Sequence, residues 1–197
     1  MALRVDELWC WRHPPARGAA GRCIGRTDLA VDPRKAKRLA HRIRAAARRH
    51  DLPRAVWVSP LQRAHAVGRW LQRWGWRLQV DARLCEVDFG NWDGRAWCEV
   101  PWAEVEAWQD DLLHHAPGAG ESLLQVAARV RSFVGELNAG PHLLVSHGGW
   151  INAMLHVPDV LHLLQAPPGL LHLPASAWPA PPRHGSLTRV QRPRDNG

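Results

Sequence analysis

Apolar and polar positions along the chain follow two periods. Apolar residues that recur every three or four positions indicate helices with one buried face, whereas short apolar runs between turn residues indicate buried strands. This pattern predicts strands at residues 6–11, 55–58, 77–80, 143–145 and 186–191. It predicts helices at residues 33–50, 61–74, 102–114 and 122–137, and one more helix directly after residues 146–149.

Strand and helix alternate along most of the chain, which is typical of an α/β domain with a mostly parallel sheet. The 197 residues, of which 46% are hydrophobic, suffice for one core, so a single domain over residues 1–197 is predicted. Residues 158–182 are rich in proline and lack a clear period, so they are expected to form a loop or an irregular cover. Residues 192–197 are expected to be frayed.

The cysteines and the first residues of the chain help to predict the cellular compartment. The cysteines form no C-x-x-C pair and have no partner at zinc-site spacing, which favours reduced thiols over disulfides or a structural metal. They are Cys10, Cys23, Cys85 and Cys98. Asp6 and Glu7 stand where a secretory signal would be basic, and no apolar run is long enough to span a membrane. A cytoplasmic protein with no membrane partner is therefore expected.

The net charge of +8 would suit a nucleic-acid partner if the basic residues were clustered. They are instead spread along the chain, and all but Lys35 and Lys37 are arginine. In the densest stretch, residues 34–54, apolar positions recur at helical spacing, which indicates an amphipathic helix with a solvated basic face. No nucleic-acid partner is predicted.

Three basic segments each follow the carboxyl end of a predicted strand. They are Arg12-His13, Ser59-Pro60-Leu61-Gln62-Arg63-Ala64 and Ser146-His147-Gly148-Gly149. Ligands bind at this edge of an open α/β sheet, and two of the segments also open a helix, whose N-terminus favours anions. Two histidines and two arginines converging there predict a site for a dianionic phosphoryl group.

Each segment taken alone has an ordinary structural interpretation, such as a surface histidine at a turn or a solvated arginine. Their order and placement together favour the functional interpretation. A further segment, residues 84–94, carries Glu86 in apolar, glycine-punctuated surroundings. Next to a cationic pocket, Glu86 is the expected proton donor, since cleavage of a phosphate ester needs one for the leaving alkoxide.

These motifs in this order resemble the histidine phosphatase (phosphoglycerate mutase-like) superfamily over residues 8–155. The matching motifs read R-H, S-P-L-x-R-A, L-x-E-x-x-F-G-x-W-x-G, G-E-S and H-G-G. Residues 21–29, G-R-C-I-G-R-T-D-L, resemble the α-ribazole phosphatases of cobalamin synthesis, although G-x-T-D also resembles other branches, including the mutases. The resemblance implies a three-layer α/β/α sandwich whose sheet has one antiparallel edge strand.

By motif, the resemblance implies that His13 is a nucleophile that becomes phosphorylated. Arg12, Arg63 and His147 would hold the phosphoryl oxygens, and Glu86 would act first as general acid and then as general base. No metal and no cofactor are expected.

Three further residues are expected to contact the phosphate or the body of the substrate. They are Arg26, Thr27 and Gly148.

The resemblance implies a phosphomonoesterase acting on a small phosphorylated metabolite, with α-ribazole 5′-phosphate as the leading substrate. A phosphoglycerate mutase or another small-metabolite phosphatase is the alternative, although mutases usually carry an insertion near Glu86 that this chain lacks. A noncatalytic binding or regulatory module on the same fold also stays open, because Pro14 replaces the usual glycine after the nucleophile and has no N–H. The sequence leaves the oligomeric state undecided.

Two other features bear on the site. Asp93 stands where the family usually has glutamate, a change expected to be tolerable if its role is structural. Trp92 and Trp150 adjoin the catalytic segments, and core packing is preferred for both over lining a pocket for an aromatic leaving group. Packing is likewise predicted for the tryptophans at helical spacing, Trp70, Trp74, Trp102 and Trp108.

Overall fold

The computed structural model describes residues 7–163 and 178–191. Its sheet consists of β1 (Glu7–Arg12), β2 (Ala55–Val58), β3 (Arg77–Val80), β4 (Pro141–Ser146) and β5 (Leu187–Gln191). The strand order is β3-β2-β4-β1-β5. Only the β1–β5 pair is antiparallel among these neighbours. The predicted mostly parallel sheet with one antiparallel edge strand is confirmed.

Helices cover both faces of the sheet. They are α1 (Pro33–Arg49), α2 (Gln62–Arg73), α3 (Trp102–Asp110), α4 (Leu123–Gly135) and α5 (Gly148–Leu163). Alternate residues of β1 supply two cores: Trp9 and Trp11 pack with α1 and α2, while Leu8 and Cys10 pack with α4 and α5. The three-layer α/β/α arrangement follows from this alternation.

Helix α1 shows how the sequence defines these elements. Asp32 accepts a hydrogen bond from the Arg34 N–H as the N-cap, and Pro33 occupies the first turn, where it needs no donor. Its buried positions form one stripe against the sheet: Ala36, Leu39, Ala40, Ile43 and Ala47. The basic residues between them lie on the solvent side, so this stretch of charge belongs to an amphipathic helix.

Three sequence predictions differ clearly from the structure. The helix predicted at residues 102–114 ends at Asp110, and Trp102 at its start is 64% exposed, so the packing prediction for Trp102 is wrong. Residues 158–163 belong to the stretch predicted to be irregular because it is rich in proline and lacks a clear period, yet α5 continues through Pro158 to Leu163. Residues 164–177 and the tail 192–197 lie outside the described residues. The assignment of residues 1–197 to one domain stays a prediction.

The carboxyl ends of β1, β2 and β4 meet at one edge of the sheet, because these strands are parallel. Helices α2 and α5 begin close to that edge. The antiparallel strand β5 begins beside it, since its first residue pairs with Trp11 near the end of β1. Within the described residues, no helix is long and apolar enough to cross a membrane.

Candidate active site

His13 directly follows β1 at this edge and is buried. Its backbone N–H donates to the carbonyl of Ser146 at the end of β4, 3.0 Å away. Its Nδ1 atom lies 2.6 Å from the carbonyl oxygen of Pro14. A carbonyl can only accept, so Nδ1 carries the proton and Nε2 keeps a free lone pair. This tautomer makes Nε2 the unprotonated ring nitrogen.

The surroundings of His13 keep its ring neutral. Burial lowers the pKa of His13 well below its ordinary value, and the nearby Arg63 cation lowers it further, against the opposing effect of the Pro14 carbonyl. At neutral pH the lone pair on Nε2 is consequently available for attack. Pro14 lacks an N–H, but its carbonyl is the group that orients the ring.

Arg63, in the first turn of α2, is almost fully buried and connects the other parts of the site. Its Nη1 donates to the Thr27 carbonyl at 2.8 Å and its Nη2 to the Gly25 carbonyl at 2.5 Å. Its Nε donates to Nδ1 of His147 at 3.1 Å. Nη1 and Nη2 each keep a second N–H for a ligand.

The bond from Arg63 also fixes the tautomer of His147. Since Nδ1 of His147 accepts, its ring proton lies on Nε2. Burial, followed by the neighbouring His13 and Arg63, lowers the pKa of His147 well below the ordinary value, so the ring is neutral. The centroids of the His13 and His147 rings are 4.8 Å apart. The His13 ring thus presents a lone pair, and the His147 ring presents an N–H donor.

Two buried donors beside His13 have no hydrogen-bond partner among the described residues: Nε of Arg12 and Nε2 of His147. Arg12 is held in place by donating from Nη1 to the Pro182 carbonyl at 2.7 Å. A Cβ atom on Gly148 would lie 3.0 Å from Cζ of Arg12, so α5 begins directly against the guanidinium group. Buried polar groups rarely stay unpaired, and here both would be satisfied by an anion.

Glu86 lies at the N-terminus of α5. Its Oε1 accepts from the N–H groups of Val87 at 3.1 Å and Trp150 at 3.2 Å, and its Oε2 from that of Gly149 at 3.2 Å. A Cβ atom on Gly149 would come within 2.6 Å of Oε1, so glycine leaves room for the carboxyl group. Glu86, Arg12 and His13 line the same cavity.

The side chains of Arg26 and Thr27 contact protein groups instead of lining this cavity. The carboxylate of Asp93 accepts from the N–H groups of Gly25 at 3.0 Å and Thr27 at 3.0 Å, from the Arg26 N–H, and from Thr27 Oγ1 at 2.7 Å. The Arg26 guanidinium lies 3.4 Å from Glu121. The carbonyls of Gly25 and Thr27 hold Arg63, so this loop positions a site residue, and contact of Arg26 and Thr27 with the substrate stays a prediction.

Replacing Asp93 with alanine should destabilise both the fold and the site. It removes the acceptor for three backbone N–H groups and one hydroxyl, so we expect the free energy of unfolding to fall by about 2–3 kcal/mol. Activity should also fall because the carbonyls that position Arg63 lose their support. Urea denaturation and steady-state kinetics measure the two effects. Asp93→Glu, which keeps the carboxylate, is the matched control, and wild-type stability of Asp93→Ala would contradict this role.

His184 is a site residue that the sequence analysis missed. Its Nδ1 donates to the backbone carbonyl of His13 at 3.1 Å, and the two ring centroids are 5.2 Å apart. Burial and the Arg12 cation lower the pKa of His184. The strand predicted at residues 186–191 could have indicated this residue, because an antiparallel edge strand begins beside the carboxyl end of its neighbour. Residues just before β5 therefore lie next to Arg12 and His13.

The cavity has a volume of about 510 Å³. Trp92 and Trp150 are fully buried and lie outside its lining, in agreement with the packing interpretation. The indole groups that line the cavity are instead those of Trp97, Trp108 and Trp178.

In residues 7–163 and 178–191, no group of three or more His, Cys, Asp or Glu side chains is placed to hold a metal ion. That the protein needs no metal stays a prediction.

The fold and the site define an α/β protein with a candidate anion-binding site built around a neutral, buried histidine. The model of the histidine phosphatase superfamily (branch 1) matches residues 8–172, and the chain belongs to that superfamily.

Curated relatives and solved structures agree with this family. The chain is 34% identical to a glucosyl-3-phosphoglycerate phosphatase of Mycobacterium tuberculosis, over 65% of this chain and 59% of the relative, so the match spans less than two thirds of that protein. It is 32% identical to the protein of the same name from Mycolicibacterium vanbaalenii, over 96% of this chain and 84% of the relative. Neither of these relatives is an α-ribazole phosphatase, and that branch is not confirmed.

Solved structures of similar proteins have the same fold. The mycobacterial glucosyl-3-phosphoglycerate phosphatase in complex with VO3 superposes with a TM-score of 0.71 at 27% identity, covering 93% of this chain and 90% of that one. A protein of Thermus thermophilus gives a TM-score of 0.67 at 28% identity, covering 95% of each chain.

Proposed function

We propose that the protein hydrolyses a small phosphate monoester through a phosphohistidine formed on Nε2 of His13. One observation carries this proposal: the free lone pair of His13 lies beside two buried donors, Arg12 Nε and His147 Nε2, that lack partners among the described residues. A phosphoryl group offers phosphorus to the lone pair and oxygens to the donors.

In the first step, Nε2 of His13 attacks phosphorus, the N–P bond forms and the ester P–O bond breaks. Glu86 transfers a proton to the departing oxygen. Arg12, the free N–H groups of Arg63, and His147 offset the negative charge on the transferred group. Because these donors are already oriented in the folded chain, they need no rearrangement during the step.

In the second step, water attacks the phosphohistidine. Glu86 takes a proton from the water, the new O–P bond forms and the N–P bond breaks, which restores His13 and releases phosphate. His184 helps to fix the nucleophile by holding the His13 carbonyl, and so the peptide group that leads to Pro14. The contact from Pro14 to Nδ1 supports a catalytic protein over a noncatalytic module, because the residue that breaks the family pattern still orients the ring.

Two substrates are the candidates for direct comparison. Glucosyl-3-phosphoglycerate is supported by the names of the mycobacterial relatives. α-Ribazole 5′-phosphate is supported by the resemblance of residues 21–29 to the phosphatases of cobalamin synthesis. A mutase activity is the remaining candidate, and it differs in returning the phosphoryl group to the substrate.

Hydrolysis of 4-nitrophenyl phosphate in excess EDTA tests the proposed reaction. We expect release of inorganic phosphate that is insensitive to the chelator, and rapid quenching with a phosphorus-labelled substrate should trap a protein label that is labile in acid and stable in alkali. Loss of activity in EDTA with restoration by a divalent metal would overturn the mechanism. Phosphoryl transfer between phosphoglycerate isomers without phosphate release would favour the mutase.

We also propose a cytoplasmic location. All four cysteines are free thiols, and three of them are buried, which suits a reducing compartment. The absence of a nucleic-acid partner stays a prediction, which retention on DNA at increasing salt would test.

A further inference from the structure

The part of the cavity beyond the phosphoryl site is mostly apolar. Its walls include Ile24, Phe89, Trp97, Trp108, Leu112 and Trp178. The cations Arg12 and Arg63 lie at the phosphoryl end, next to His13. A leaving group bound to the same phosphorus must therefore extend over apolar and aromatic surfaces.

Three aromatic side chains form a fixed corner in this wall. Phe89 meets Trp97 and Trp108 edge to face, with ring centroids 6.4 and 5.9 Å apart. The buried Trp92, which does not line the cavity, packs against them, with its ring centroid 5.9 Å from that of Trp108. Trp92 is anchored in turn by its Nε1, which donates to Glu104 at 2.7 Å. The corner is preorganised, so a flat ring can stack on it without ordering new side chains.

The polar side chains along this wall already bond to protein groups. Asn152 donates to the Pro179 carbonyl at 2.7 Å. Glu121 accepts from Arg129 at 2.9 Å and from the Asp88 N–H at 2.9 Å. Arg22 is exposed and donates to the Gly94 carbonyl at 2.8 Å. Among the described residues, a leaving group rich in hydroxyl or carboxylate groups would find partners only where these engaged side chains keep a spare donor or acceptor, whereas an aromatic ring would contact most of the wall.

We infer that the physiological substrate is a phosphate monoester whose leaving group carries a flat, apolar aromatic ring system, bound against Phe89, Trp97 and Trp108. This inference rests on the proposed function and names its substrate class. It favours a nucleoside-like ester with an apolar aromatic base over the hydroxyl-rich glucosyl-3-phosphoglycerate named for the relatives. Trp97 and Trp108 are then specificity-determining residues, in positions that the sequence motifs do not mark.

A pair of esters with similar leaving alcohols tests the inference. 2-Naphthylmethyl phosphate and glycerol 3-phosphate both release a primary alcohol, so the ratio of their kcat/KM values reports binding of the leaving group rather than its chemistry. We expect the naphthyl ester to be preferred by roughly 100-fold, chiefly through a lower KM. α-Ribazole 5′-phosphate should be hydrolysed better than glucosyl-3-phosphoglycerate in the same assay.

Trp97→Ala should reduce the ratio of the two kcat/KM values about tenfold. Trp97 is 40% exposed, so this substitution removes little of the core. Trp102→Ala is the matched control, because Trp102 is 64% exposed and does not line the cavity. It should leave both values unchanged.

The outcomes separate the two proposals. If no ester is hydrolysed, including 4-nitrophenyl phosphate, the proposed function fails and the inference fails with it. If the esters are hydrolysed but glycerol 3-phosphate or glucosyl-3-phosphoglycerate is preferred, the inference alone is overturned. A ratio that Trp97→Ala leaves at the wild-type value would also overturn it.

Discussion

His13→Ala should reduce hydrolysis of 4-nitrophenyl phosphate by roughly 10³-fold or more. The substitution removes the Nε2 lone pair that forms the N–P bond in the proposed mechanism. His147 lies next to His13, but its proton is on Nε2, the atom without a protein partner among the described residues. The variant should also lose the acid-labile label after quenching, since the phosphoenzyme can no longer form.

His142→Ala is the matched control for this experiment. His142 belongs to the amino-terminal half of β4, away from the site edge, and its Nε2 contacts the Asn138 carbonyl at 2.8 Å. Its loss should leave kcat and KM at the wild-type values. A His13→Ala protein that keeps a native circular dichroism spectrum and more than about a tenth of the activity would rule out His13 as the nucleophile.

Glu86→Gln should slow hydrolysis of glycerol 3-phosphate by about 10²–10³-fold, but that of 4-nitrophenyl phosphate much less in the first step. An alkoxide departs only when it is protonated, whereas 4-nitrophenolate leaves readily without a proton. Glutamine keeps the length of the side chain and one oxygen for the N–H groups at the start of α5. Values of kcat/KM for the two esters, which report the steps up to formation of the phosphoenzyme, give the dependence on the leaving group.

The second step gives an independent signal for Glu86. Water must still lose a proton when it attacks the phosphohistidine, so Glu86→Gln should accumulate the phosphoenzyme and show a burst of 4-nitrophenol. Glu106→Gln, on the exposed side of α3, is the control and should behave as the wild type. Equal losses for both esters with no burst would assign Glu86 a purely structural role at the helix N-terminus.

The sheet could be predicted well from local pattern. β2 and β3 begin and end where the sequence indicates, because β2 is a short apolar run between Pro53 and Pro60 and β3 follows the turn at Gly75. The position of the site edge also follows from sequence, since parallel strands place their carboxyl ends together. Pro158 shows the limit of such rules, because helix α5 continues through a residue that usually ends one.

The contacts within the site were harder to predict, since they join distant parts of the chain. The motif at residues 25–27 suggested ligands for the phosphate, but Asp93 binds its N–H groups from 66 to 68 positions away. Sequence can place a loop near a site without deciding which atoms face the substrate. The same limit applies to His184, which contacts the His13 carbonyl from 171 positions away.

A site assembled before the substrate arrives also recognises what the reaction leaves behind. The donors of Arg12 and His147 that have no partner among the described residues can bind any tetrahedral oxyanion of the right size, including free phosphate. Binding energy that favours ester and product alike lowers KM without speeding the chemical step. Under the proposed mechanism, phosphate is a competitive inhibitor. The concentration of phosphate around the protein therefore sets the fraction of the protein whose active site is free to bind the ester.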